Sequence, residues 1–342
     1  MGRITAVISL VLFATIFTGA IFPVAAQPAD PFFKGKQIKL IVGSNAGGNY
    51  DQYGRFLARY MGRHLPGNPS FVVQNMPAGG GILAANFLYN LAPKDGLTLA
   101  HLQRTIPQAA IVGLPGTEYD ATKFNWLGSL NNEVTVCVAW HESSVKTLQD
   151  VMSRELIIGS QGQTDGDQFP AVLNTVIGTK FKMVSGYTGG SEMLLAMERR
   201  EVEGRCGWSW SSIQTQRPAW LSENKINILV QTSLQKHPDL PNVPLAMDFV
   251  KTPEDRQALE FLFGRNVVGR VFAAPPGLPA DRVADLRAAF EAVTKDPEAI
   301  ADADKQKLKL TPVSAAEVQA LIERFHRTPK QVIDAVEKAG ER

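Results

Sequence analysis

A chain of 342 residues, 44% hydrophobic and 20% charged, is long enough for two packed cores and has the balance of a globular protein. Lys and Arg number 35 against 33 Asp and Glu, a net charge of +2 with no basic run, which excludes long-range attraction to nucleic acid or to an anionic membrane surface. Any anion this chain binds must be held by local geometry.

In chain order, residues 1–26 read as a secretory signal. Arg3 opens it, an apolar stretch runs from Ile4 to Val24, and Val24-Ala25-Ala26 supplies the small residues of a cleavage site. The competing reading is a retained anchor, because the stretch is about as long as a bilayer span. Pro23 and the small residues favour processing, and no later stretch is apolar enough to span, so a chain soluble outside the cytoplasm is expected.

Ile38 to Val42 reads as a buried strand that stops in a loop of small residues, Ser44, Asn45, Ala46, Gly47 and Gly48, and then opens a helix with apolar residues at Tyr53, Phe56, Leu57 and Tyr60. Small side chains let a ligand approach the backbone, and a helix start aims unpaired N–H groups at it, which suits an anion. The device repeats. A strand at Phe71 to Gln74 leads into Pro77-Ala78-Gly79-Gly80-Gly81 and a helix near Ile82 to Leu91. Leu97 to Leu102 is a third strand, ending in Gln103-Arg104-Thr105.

Strands at Phe124 to Leu130 and Val134 to Trp140 precede a second round. Leu156 to Gly159 ends in Ser160-Gln161-Gly162-Gln163-Thr164-Asp165-Gly166, with a helix near Gln168 to Ile177; Phe181 to Val184 ends in Gly186-Tyr187-Thr188-Gly189-Gly190, with a helix over Ser191 to Arg199. Val202 to Cys206 is a strand, Ser211 to Leu221 a helix, Ile226 to Gln231 and Val267 to Ala274 further strands, and amphipathic helices run from Ala280 to the end. This alternation predicts an α/β fold in two units, with mostly parallel sheets. Cys137 and Cys206 each sit in an apolar run; one disulfide and two buried thiols are both open.

In open α/β sheets ligands sit outside the carboxyl ends of the strands, and two facing units make a cleft. Four loops qualify here, at residues 44–51, 77–81, 160–166 and 186–191. Enzyme signatures are missing: Gly43-Ser44-Asn45-Ala46-Gly47 is not a nucleophile elbow, no phosphate-binding glycine motif follows the first strand, and the five histidines have no metal-ligand spacing. No catalytic residue, metal or cofactor is expected.

With the loops placed, the chain resembles the substrate-binding receptors of tripartite tricarboxylate transporters, the TctC or Bug family of periplasmic proteins. The residues that carry the resemblance are Gly43-Ser44-Asn45-Ala46-Gly47-Gly48-Asn49-Tyr50-Asp51, Asn75-Met76-Pro77-Ala78-Gly79-Gly80-Gly81, Pro93-Lys94-Asp95-Gly96-Leu97-Thr98-Leu99, Gly159 to Thr164, Gly186-Tyr187-Thr188-Gly189, and Ala273 to Pro279. Any one motif is weak, and the ordered set is specific.

The resemblance implies a two-domain flytrap, a type II periplasmic-binding-protein fold, with the ligand between domain 1 (27–138 and 267–342) and domain 2 (139–266). It implies a monomer that delivers a mono- or dicarboxylate, aromatic ones included, to membrane permease subunits. One ligand carboxylate would be held chiefly by backbone amides of Ser44 to Gly48, Ala78 to Gly80, Ser160, Gln161, Gly162 and Thr164. Asp51 would bond within its loop, meet the ligand, or cap the helix. Two departures bear on specificity. Cys206-Gly207-Trp208 stands where relatives carry Phe-Asp-Asn-like residues, so Trp208 and Trp210 are candidates to stack on a ligand body or to fill core. Arg104 stands where relatives carry small residues, and a second carboxylate or the surface would occupy it; Tyr187 joins these as a specificity residue. The alternatives are a secreted enzyme using Asp51 or Asp167 as general base, and a periplasmic sensor docking on a signalling partner.

Overall fold

The computed structural model describes residues 31–162 and 164–340, and the segment read as a secretory signal lies outside them. The chain begins with β1 (Gln37–Val42), α1 (Asn49–Met61), β2 (Ser70–Asn75), α2 (Ile82–Asn86), β3 (Thr98–Leu102), α3 (Ile106–Ala109) and β4 (Asn125–Ser129). It continues with β5 (Thr135–Trp140), α4 (Leu148–Ser153), β6 (Leu156–Ser160), α5 (Asp165–Val176), β7 (Phe181–Ser185), α6 (Gly190–Glu198), β8 (Gly204–Ser209), α7 (Trp210–Gln216), α8 (Pro218–Ser222) and β9 (Ile226–Thr232). It closes with α9 (Pro253–Gly264), β10 (Val271–Ala274), α10 (Ala280–Lys295), α11 (Pro297–Lys305), β11 (Val313–Ser314), α12 (Ala315–His326) and α13 (Lys330–Gly340).

The strands form two sheets of one design, ordered β11-β4-β10-β3-β1-β2 and β7-β6-β8-β5-β9. In each, a parallel trio (β2-β1-β3, β7-β6-β8) meets an antiparallel strand, β10 or β5. Both sheets are therefore mixed rather than mostly parallel. The reason is topological: β5 and β10 are each the first strand after the chain passes from one lobe to the other, and each enters against its neighbours.

Those passages also correct the expected boundary. Strand β5 pairs with β8 and β9 along its length, so the lobe changes between Ser129 and Thr135, and a division after residue 138 would cut the strand. On the return, α9 bridges the lobes, with Phe263 edge-on to Phe169 of α5 and Phe261 edge-on to Phe325 of α12.

The central strands β3, β5, β8 and β10 are buried along their whole length, as expected of strands covered on both faces. Residues Tyr53, Phe56, Leu57 and Tyr60 of α1 are buried at the helical spacing read from sequence. Three local differences matter for the cleft. Helix α5 starts at Asp165, not near Gln168, because Thr164 and Asp167 form a capping box. The helix expected over Ser211 to Leu221 breaks at Arg217, which sits at φ −140° before Pro218. Strand β8 runs two to three residues later than expected, which carries Gly207, Trp208 and Ser209 onto the sheet. Cys137 and Cys206 meet across β5 and β8 as a disulfide.

Candidate functional site

The carboxyl ends of β1, β3, β6 and β8 face one another across the gap between lobes. After β1, the loop turns at Gly47 (φ 77°), whose N–H donates to Asp51 Oδ2 at 2.9 Å. Asn75 Nδ2 donates both to Asp51 Oδ1 and to Ser44 O, at 2.9 Å each, and Arg55 Nε reaches Asp51 Oδ2 at 2.8 Å. Burial pulls Asp51 towards its neutral form, but the bonds from Arg55, Gly47 and Asn75 outweigh it and hold the pKa below the usual carboxylate value. Asp51 thus braces its own loop. Helix α1 starts after Gly48 with no side-chain cap, leaving its first N–H groups to whatever fills the cleft.

The second loop passes through Gly79, Gly80 and Gly81, all at positive φ. At Gly81 a Cβ would lie 2.7 Å from Gln103 Cγ, so only glycine lets β3 and this loop approach. In the second lobe, Ser160 Oγ accepts the Gly162 N–H at 3.2 Å, and Thr188 donates through N–H and Oγ1 to Glu192. Helix α6, like α1, begins without a side-chain cap, after Gly189.

The lobes are closed on each other. Asn45 Nδ2 donates to Thr188 Oγ1 at 2.7 Å across the mouth, and Asn49 Nδ2 to Thr215 Oγ1 at 3.2 Å. Between them lies a cavity of about 80 Å³ lined by, among others, Ser44, Gly48, Arg104, Gln161, Thr164, Arg205 and Trp208. It adjoins a recess of about 270 Å³ formed by Ala78, Gly79, Gly80, Tyr187 and Thr188, and shares Ser44, Gln103 and Gln161 with it. This is room for a small organic molecule with ordered water, not for a peptide.

The expected site residues therefore divide. Ser44, Gly48, Ala78, Gly79, Gly80, Arg104, Gln161, Thr164, Tyr187 and Trp208 come together around this space. Asn45 closes the mouth, Ala46 and Gly47 lie on the exposed shoulder of their loop, and Asp51, Ser160 and Gly162 bond within their own loops.

Arg104 differs from either expectation. It is 4% exposed, and its guanidinium is fully engaged across the cleft: Nε on Asp165, Nη1 on Ser209 Oγ at 2.8 Å, and Nη2 on Gly207 O at 3.0 Å. Asp165 also pairs with Arg265 Nη2 at 2.6 Å. Beneath, Arg270 lies against the rings of Tyr50 and Tyr53, bonds Asn49 Oδ1 and Ser212 Oγ, and stands 3.7 Å from Glu133. His101 stacks on Phe272 and shares Nδ1 with Tyr50 O at 2.9 Å; burial, then the nearby Arg270, keeps its pKa well below the usual histidine value.

The tryptophans are wall and core. Trp210 Nε1 donates to Asp239 at 3.3 Å, away from the cavity lining. Trp208 packs edge-on to Trp220 and carries the Arg205 guanidinium 4.7 Å from its ring centre, so the stacking partner is an arginine of the chain itself. Arg205 escaped the sequence reading. Its signal was a charge inside an apolar strand run, where an unpaired guanidinium is costly. Burial, and then repulsion from Arg104, push its pKa down to about 9.

The model of the tripartite tricarboxylate transporter family receptor matches residues 55–337. A Cupriavidus necator protein described as "UPF0065 protein in gbd 5'region" is 30% identical over 243 residues, 66% of this chain and 67% of that one. Among solved structures, the periplasmic binding protein BugD is similar with a TM-score of 0.71 at 18% identity, over 90% of this chain and 99% of that one. MatC from Rhodopseudomonas palustris, with bound malate, gives 0.70 at 20% identity, over 89% and 100%. At these identities the two structures speak for a shared two-lobed fold.

Proposed function

Since the chain belongs to the tripartite tricarboxylate transporter receptor family, we propose that it is an extracytoplasmic solute-binding receptor that captures a small organic carboxylate between its lobes and hands it to membrane permease subunits. The observation that carries this reading is the cavity between the lobes. Small-residue loops from both lobes meet there, and two of the helices that start at its edge, α1 and α6, lack side-chain caps. Uncapped N–H groups beside a cavity between lobes favour an anion over a cation or a neutral sugar. MatC, of the same fold, was solved with malate, a small carboxylate.

A receptor fits better than an enzyme. The two candidate bases are committed elsewhere: Asp51 holds its loop and is kept ionised by its donors, while Asp167 serves the α5 capping box and accepts from Ser185 Oγ at 2.9 Å. A carboxylate held by several donors is a weak proton acceptor. The receptor acts in the periplasm as a monomer, without catalysis. No helix among the described residues is long and apolar enough to cross a membrane.

A thermal-shift panel on the purified chain tests the proposal. Carboxylates at concentrations well above Kd should raise Tm by several degrees, through about 3 kcal/mol of linkage at a hundredfold excess. Stabilisation by amines or sugars, with none from carboxylates, would overturn it.

A further inference from the structure

Among the buried guanidinium groups, Arg205 differs from its neighbours in what answers its charge. Arg104 and Arg265 share Asp165, and Arg270 has Glu133, Asn49 and Ser212. Arg205 is 8% exposed, and its Nε and Nη1 have no hydrogen-bond partner among the described residues; Arg265 also has two unbonded nitrogens but stands 2.6 Å from Asp165, whereas no carboxylate among the described residues pairs with Arg205. On one side it has the face of Trp208. On the other it has the start of α6, where a methyl added at Gly190 would stand 3.5 Å from Nη1. A helix start is the wrong end for a cation, because the macrodipole is positive there.

The charge balance points the same way. Asp51 is neutralised by Arg55, which leaves, among the described residues, four buried guanidinium groups, Arg104, Arg205, Arg265 and Arg270, against two buried carboxylates, Glu133 and Asp165. With the lobes apart, water would solvate the excess. Closure strips that water away, and an uncompensated buried charge is costly. The missing counter-charge has a place to sit, since Arg205 and Gly190 line the same cavity as Ser44 and Gly48.

We propose that Arg205 is the binding point for a second acidic group of the ligand. One carboxylate rests on the loop amides at residues 44–48 and 78–81 of the first lobe; the other lies on the Arg205 fork in the second. A dianion then spans the gap and links the lobes, whereas a monoanion leaves Arg205 buried and bare. Trp208 behind the guanidinium fixes its plane, which suits bidentate recognition of a carboxylate. The inference rests on reading the cleft as a carboxylate site and sharpens it to a diacid.

The probes are linear dicarboxylates of three to six carbons and their half-amides, which keep length and shape but drop one charge. Titration calorimetry on the wild-type chain should show at least one diacid binding on the order of 100-fold more tightly than its half-amide. Arg205→Gln should bring the pair within about fivefold, chiefly by weakening the diacid, and Arg205→Lys should fall between, because an ammonium keeps the charge but not the fork. Circular dichroism melts confirm that the variants fold; should the Gln variant fail, the Lys variant and the wild-type ratio carry the test. Equal wild-type affinity for diacid and half-amide would overturn the role of Arg205 alone, as would undiminished discrimination in Arg205→Gln. Failure of every carboxylate to bind would overturn the carboxylate reading, and this proposal with it.

Discussion

Ala78 holds φ 130° and ψ 148°, a region of backbone space in which only glycine rests without strain. It lies in the recess of the cleft, beside Gly79 and Gly80. Such strain is about 1–3 kcal/mol, and replacing alanine by glycine costs less than about 1 kcal/mol through the unfolded chain. Ala78→Gly is therefore expected to stabilise by about 1 kcal/mol, a rise of roughly 2 °C in Tm by calorimetry; a lower Tm would show that the loop does not hold this geometry in solution. His101 gives a pH prediction at the same scale. Burial first, and the nearby Arg270 second, lower its pKa when folded, against opposing effects of Tyr50 O and Asp51. The unfolded chain then binds the proton and the folded chain does not. Stability from this group is complete above about pH 6.5 and is lost as pH falls below it, at up to about 1.4 kcal/mol per unit. Urea melts at pH 7.5 and 5.5 should show that loss in the wild type and not in His101→Gln. Equal slopes for the two would place the proton elsewhere.

At the scale of elements, β8 organises the second lobe's share of the cleft. Its bend at Gly207 (φ 65°) brings the strand against the start of α5, where an added Cβ would stand 2.5 Å from Asp165 Cβ. Gly207→Ala should cost about 2–4 kcal/mol and shift α5 outward, which a denaturant midpoint measures. The disulfide of Cys206 with Cys137 of β5 closes a loop with a sequence separation of 69. By chain entropy it contributes about 4 kcal/mol, so the Cys137→Ala, Cys206→Ala double variant should lose a comparable amount; an unchanged midpoint would indicate free thiols in solution. These elements also show what the sequence made legible. Strands ending in small-residue loops could be read because Gly and Ser punctuate them, and α1 could be read because its apolar residues repeat every three to four positions. Strand β8 was misplaced because Gly207, read as the stop after Val202 to Cys206, lies inside the strand, which is buried throughout. Helix α9 went unplaced, since Phe261 and Phe263 pack in different directions as it bridges the lobes. Arg205 and Asp165 acquire meaning only when the lobes meet.

The molecule as a whole is held closed by polar groups that cross between lobes, and Arg104 is one of the buried ones. It leaves the end of β3 in the first lobe and bonds Asp165, Gly207 O and Ser209 Oγ in the second. Such a buried pair gains little net energy over an apolar contact, because desolvation of both ions offsets their attraction. Its value is directional: the bonds exist only in the closed arrangement, so they shift the balance between closed and open without strengthening either lobe. Arg104→Met keeps much of the volume, and Asp165 retains Arg265 at 2.6 Å, so the lobes should still fold. What should change is the population. If the unliganded wild type is mostly closed, losing contacts worth about 1–2 kcal/mol moves it towards the open form and lowers apparent ligand affinity on the order of 10-fold, in proportion to the closed fraction. Small-angle scattering should then report a larger radius of gyration for the unliganded variant, returning to the wild-type value when ligand saturates. An unliganded variant as compact as the wild type, with unchanged affinity, would mean that closure is set by the apolar bridge of α9 and not by this arginine.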